Sequence, residues 1–175
     1  MSILILERDN TGNSVGSLQQ KITYIKRADE TLLSLLYGVN VSVFNTYNEM
    51  MLVKYAYGQI GGKGYNHIVF SPENGNDISE RNMFYMGIDM AKYIGNFHGN
   101  YQVLVAVHHG AGNGERKHLH FIANNTNFTN GARLDLNKKT LYELKMGCSQ
   151  IAMCYGLEPI RQYLQPPAQS SQNTF

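Results

Sequence analysis

Two short apolar runs on either side of a Gly-rich loop constrain the fold more than any other part of the chain. Residues 102–108 end in Val103-Leu104-Val105-Ala106-Val107-His108, and residues 118–125 begin His118-Leu119-His120-Phe121-Ile122-Ala123-Asn124. Both have strand composition, and pairing across residues 110–117 would make them an antiparallel hairpin. Side chains at i and i+2 of a strand share a face, so His118 and His120 project together while Leu119 packs on the other side. The facing strand then brings His108 or His109 alongside them. Four of the six histidines fall within residues 108–120. Three imidazoles converging on one point can hold a metal ion, and a site left open to solvent can do chemistry. The plainer alternative is a set of hydrogen-bonded polar residues at strand ends.

The 175 residues, 43% of them hydrophobic, suffice for one domain with a real core. We expect it to span residues 1–162, with 163–175 a polar flexible tail or truncated linker. No apolar run is long enough to cross a membrane as a helix, and the N-terminus has no signal-peptide pattern. Cys148 and Cys154, six apart on an expected helix, read as small core residues and fit a reducing bacterial cytoplasm. A net charge of +2 neither requires nor excludes a nucleic-acid partner. Any DNA surface would be a local groove, in which some of the twelve Tyr and seven Phe could stack on unpaired bases.

Periodicity predicts the remaining elements. Residues 2–7 read as a strand, and Leu18, Ile22 and Ile25 trace one face of a helix from Val15 to Arg27. Helices are expected over Asp29–Tyr37 and Asn45–Gln59, and a strand over Tyr65–Ser71. A capping box at Asp77–Glu80 opens a helix with Met83, Met86, Met90 and Ile94 on its core face. Asn137 caps a last helix, stopped by Gly156. The fold class is therefore α+β, a mostly antiparallel central sheet in a two- or three-layer sandwich, with the helices expected on one side.

Three separated segments stand out in order: Lys21-Ile22-Thr23-Tyr24-Ile25-Lys26, then His67-Ile68-Val69-Phe70-Ser71-Pro72, then His108 or His109 followed by His118-Leu119-His120 and Asn124. Together they resemble the relaxases of the HUH endonuclease superfamily, specifically a MOBP-like relaxase/mobilisation nuclease domain. The likeness extends over roughly residues 15–160. The family often has an Asp two positions after its first His, where this chain has Gly110 or Ala111. Strand register favours His108 over His109, because it keeps Val107 facing the core.

The resemblance implies metal-dependent, site- and strand-specific nicking and rejoining of DNA at a transfer origin, which starts conjugative mobilisation. Tyr24 would be the nucleophile, forming a 5′-phosphotyrosyl intermediate. His108, His118 and His120 would hold a divalent ion, Mg or Mn first, with Zn, Ni or Co able to substitute in vitro. Asn124, Ser71, His67 and Arg116 would orient ligands or bind phosphate, and Lys117 and Glu115 lie close by. The implied partners are single-stranded or hairpin DNA, accessory relaxosome proteins and a type IV secretion coupling protein. Two other readings compete: a single-Tyr HUH transposase or rolling-circle initiator using Tyr142 or Tyr155, and a non-catalytic metal-stabilised DNA-binding module.

Overall fold

The hairpin lies inside a five-stranded sheet. A computed structural model describes residues 2–73, 75, 77–110 and 116–160. Strands β1 (Ile3–Glu7), β2 (Leu36–Val39), β3 (Tyr65–Ser71), β4 (Val103–His108) and β5 (His118–Asn124) pair in the order β1-β3-β5-β4-β2. Every neighbouring pair is antiparallel. The β4–β5 register sets His108 opposite His118 and Ala106 opposite His120.

Among the described residues four α-helices cover the sheet: α1 (Leu18–Ile25), α2 (Thr46–Ala56), α3 (Glu80–Gly95) and α4 (Lys138–Cys154). They occupy both faces, not the one expected. Met83, Met86, Met90 and Ile94 of α3, with Leu144 and Cys148 of α4, pack on Ile68, Val105, Leu119 and Phe121. Leu18, Ile22 and Ile25 of α1, with Met50 and Met51 of α2, pack on the opposite face against Leu104, Ala106 and Ile122. Central strands with apolar side chains on both faces need cover on both, so the sandwich has three layers. With only eight residues, α1 would be marginal as an isolated helix. Burial of its three apolar residues, roughly 1.5–3 kcal/mol each, fixes it to the sheet.

Three local expectations change. Residues 29–37 form no α-helix; a 3-10 turn at Leu33–Leu35 leads into β2, whose Leu36 pairs with Ala106. Pairing with the exposed edge of β4 outweighs the local helical pattern there. The cap of α3 is Ser79, which accepts from Asn82 N at 3.2 Å, and not Asp77. Cys148 is fully buried and its thiol pushed up to about 12 by burial, whereas Cys154 is exposed. Asn137 caps α4 as expected. The tail from 163 lies outside the described residues.

Candidate metal centre and nucleophile

Alternation along β4 and β5 turns His108, His118 and His120 to the α1/α2 face, and their ligand nitrogens lie within 4.8 Å of one another. Each ring has one nitrogen already committed. His108 Nε2 donates to the carbonyl of Ile25 at 3.0 Å, leaving Nδ1 free. His118 Nδ1 donates to the carbonyl of Arg116 at 2.9 Å, leaving Nε2. His120 Nδ1 lies 2.8 Å from His67 Nε2, and His67 Nδ1 lies 3.2 Å from Glu7 Oε2. An ionised Glu7 can only accept, so His67 Nδ1 donates to it and His67 Nε2 accepts a hydrogen bond from His120 Nδ1.

That assignment turns two lone pairs towards each other: His118 Nε2 and His120 Nε2 are 3.0 Å apart. Two imidazole acceptors at that distance repel unless a cation lies between them. Burial lowers the pKa of His108, holds His67 down to about 3 and, with the neighbouring imidazoles, His120 down to about 2. These rings therefore stay neutral at pH 7, and a metal ion suits the vacant lone pairs better than a proton. Three nitrogen ligands, with no carboxylate or thiolate joining them among the described residues, leave coordination positions open.

The bond from His108 to Ile25 also positions the neighbouring Tyr24. It satisfies a carbonyl at the C-terminal turn of α1, where helix carbonyls lack intrahelical partners. The Tyr24 ring centroid sits 6.0 Å from that of His108 and 5.8 Å, edge-on, from that of His120. Tyr24 as a residue is 39% exposed, so substrate can reach it. Lys21 Nζ is 5.1 Å and Arg27 Cζ 4.7 Å from its centroid. Arg27 is held in turn by Glu30, whose Oε1 accepts from Nη2 at 2.7 Å. The second Glu30 oxygen is buried with no hydrogen-bond partner. Glu7, Lys21, Arg27 and Glu30 were not anticipated as site residues. Lys21 and Arg27 are marked in sequence by lying one turn either side of Tyr24; Glu7 and Glu30 carry no such mark.

The other expected residues divide. His109 lies off the cluster, paired with Glu80 at 3.2 Å. Ser71 stands at the same strand end as His118, one step beyond the Phe70–Leu119 pair. Asn124 shares the strand face of His120 but orients no imidazole, because four residues along a strand is roughly 13 Å. Its amide instead binds Lys54 Nζ, Met50 O and Gln102 Oε1. Arg116 reaches the cluster through its carbonyl, while its guanidinium bonds the carbonyl of Glu73. Lys117 bonds the carbonyl of Ile78 at 2.7 Å. Glu115 lies outside the described residues. Tyr142 and Tyr155 belong to the α4 layer on the far side of the sheet, and Tyr155 donates to Asp89 at 2.7 Å.

Residues 24–157 match the model of a relaxase family, described as MobA/VirD2-like, nuclease domain. The chain belongs to this family. It is accordingly a DNA relaxase, an enzyme that nicks DNA in mobilisation. Searching the curated proteins returned no match. Among solved structures, the relaxase is similar to the MobM relaxase domain (MOBV; Mob_Pre) bound to 22 nucleotides of plasmid pMV158 oriT DNA, Mn-bound, at pH 5.5. That match has a TM-score of 0.60 and 12% identity, over 96% of this chain and 93% of that one. The Mn-bound 23-nucleotide complex at pH 6.5 gives 0.62 and 12%, over 99% and 92%. The 26-nucleotide complex gives 0.59 and 13%, over 96% and 94%. At such identities the likeness is one of fold.

Proposed function

We propose that this relaxase cuts one strand at a transfer origin by attack of Tyr24 on the scissile phosphate. The observation that carries the reading is the hydrogen bond from His108 to the Ile25 carbonyl, which ties the helix bearing Tyr24 to the histidine cluster. The Tyr24 oxygen would bond to phosphorus as the P–O3′ bond breaks. The phenolic proton would go to solvent, and the departing 3′ oxygen would take up a proton. The products are a 5′-phosphotyrosyl bond and a 3′-OH. Because the ester keeps the energy of the broken linkage, rejoining needs no ATP.

His108, His118 and His120 would hold a divalent ion, Mn or Mg, which when bound supplies Lewis-acid stabilisation of charge on the phosphate. Neutral imidazoles suit this use, since they leave the ion's full charge for the substrate. Lys21 and Arg27, beside the Tyr24 ring, would neutralise phosphate charge from the protein side. That relaxase domains of the same fold are Mn-bound and DNA-bound supports a divalent ion and a DNA substrate here. Residues 1–162 would form the nicking domain. The bacterial cytoplasm, accessory relaxosome proteins and a coupling protein belong to the same reading.

The decisive experiment incubates the protein and Mn²⁺ with labelled single-stranded DNA carrying the origin of its own element, then maps any SDS-resistant adduct. Attachment at Tyr24, lost in Tyr24→Phe with DNA binding retained, is expected. An adduct on Tyr142 or Tyr155 would favour a transposase- or initiator-like reaction instead.

A further inference from the structure

A rigid loop beside α1 displays an aromatic ring that the nicking chemistry does not use. Phe44 is 83% exposed, the most exposed of the large hydrophobic side chains among the described residues. Its loop is nevertheless pinned from both sides. Lys26 Nζ donates to the Val43 carbonyl and, at 3.1 Å, to Thr46 Oγ1. Thr46 Oγ1 donates to Ser42 O at 2.8 Å, and Glu49 Oε2 accepts from Ser42 N at 2.8 Å. These bonds fix the chain on either side of Phe44, so its exposed ring projects from a preorganised loop.

The space around Phe44 suits a nucleobase. A cavity of about 260 Å³ lies between α1 and the start of α2, lined by Gln19, Thr23, Lys26, Phe44, Asn45 and Asn48 among others. Asn48 Nδ2 donates to Asn45 Oδ1 at 2.7 Å, so the Asn45 NH₂ and the Asn48 carbonyl keep a donor and an acceptor for a base edge. Gln19 and Thr23 also line a second hollow of about 610 Å³ that runs to Tyr24 and Arg27. The two hollows share the Gln19 and Thr23 edge of α1, and a single strand crossing that edge would occupy both, a trough from the nucleophile to Phe44. Lys26 lines the first hollow and Arg27 the second, Arg27 sharing its charge with Asp29 and Glu30. Lys21 Nζ stands 5.1 Å from the Tyr24 ring centroid, so cations are at hand for a strand of phosphates.

We propose that this trough binds the single-stranded DNA next to the scissile phosphate and that Phe44 is its stacking platform, holding one base between its ring and the Gln19, Asn45 and Asn48 amides. The inference rests on the relaxase reading of Tyr24 and adds a base-binding residue to it. Stacking accepts any base face, so Phe44 supplies affinity and register, while the amides bias which base is preferred.

The test is fluorescence anisotropy of a dye-labelled oligo(dT) 20-mer on the full chain, at fixed salt and with Mn²⁺. Phe44→Ala is expected to weaken binding about tenfold. Phe44→Tyr should stay within about twofold of the parent, and so should Tyr85→Ala, which removes an exposed aromatic from α3. Circular dichroism checks that each variant is folded. Binding by the parent that Phe44→Ala leaves unchanged overturns the stacking role and leaves the Tyr24 reading standing, with a protein partner then the better occupant. Equal losses in Phe44→Ala and Tyr85→Ala also overturn it. A parent chain that does not bind the oligo(dT) overturns the stacking platform, which accepts any base, and leaves the origin-specific Tyr24 reading to the adduct experiment.

Discussion

His67 Nε2 and His120 Nδ1 lie 2.8 Å apart, their rings nearly parallel at 19° with centroids 5.0 Å apart. The β1–β3 register places Glu7 opposite His67, so three side chains from three adjacent strands form a line ending at His120, whose Nε2 faces His118. The carboxylate fixes the tautomer of His67, and His67 fixes that of His120. Ligand imidazoles in metal sites are commonly oriented in this way.

Removing that support should weaken the metal site without removing a ligand. His67→Ala is expected to lower Mn²⁺ affinity by about 10–100-fold, read by isothermal titration calorimetry. Glu7→Gln should have a smaller effect in the same direction, because its carboxylate is partly exposed. Unchanged affinity in His67→Ala would show that the line does not tune the site.

The two adjacent histidines at the end of β4 should behave differently. His108→Ala is expected to abolish high-affinity Mn²⁺ binding and nicking together. His109→Ala, which loses only a partly exposed pair with Glu80, should change stability by less than about 1 kcal/mol and leave metal affinity within about threefold. Equal losses in both variants would contradict the register assignment.

Acid should destabilise the metal-free protein well above the carboxylate range. Burial depresses the pKa of His67 and His120, so between their folded values and about 6.5 the unfolded chain binds protons that the native one does not. Stability is therefore complete above about pH 6.5 and falls as pH drops, by up to roughly 1.4 kcal/mol per pH unit for each imidazole. Urea midpoints in EDTA at pH 6.5, 5.5 and 4.5 measure the slope, and His67→Gln should flatten it. Asp9, whose carboxyl is held below the usual range by hydrogen bonds from Thr11 and Tyr65 despite opposing desolvation, acts only at more acid pH. A flat profile in the parent chain would refute the assignment.

Asn124 is expected to matter for folding and not for metal. Its Oδ1 accepts from the buried Lys54 Nζ at 2.7 Å, beside bonds from that ammonium to Asn125 and to the Gly64 carbonyl. Asn124→Ala should cost about 1–3 kcal/mol by leaving buried groups unpaired. Lys54→Met, which orphans several acceptors, should cost about 3 kcal/mol or more. Thermal melts measure both, and Mn²⁺ affinity of Asn124→Ala should stay within about twofold. A large loss of affinity there would restore the orienting role.

Much of the candidate site is legible in local pattern, because strand alternation acts over two residues. The His118–Leu119–His120 spacing and the hairpin each lie within a few neighbouring positions, whereas Tyr24 stands out from the other tyrosines only through the family resemblance. Glu7 is not legible, because its contact with His67 forms only once β1 has docked, whereas the Arg27–Glu30 pair spans just three residues.

The order of residues alone determined the apolar faces of α1 and α3, the hairpin, and which histidines share a side, since side-chain direction repeats every two residues in a strand and every 3.6 in a helix. Tertiary structure decided that helices cover both faces, that Leu36 continues the sheet, that His67 and not Asn124 steadies His120, and that Tyr24 stands over the cluster. Those outcomes depend on which surfaces meet across tens of residues, and periodicity carries no distance between elements.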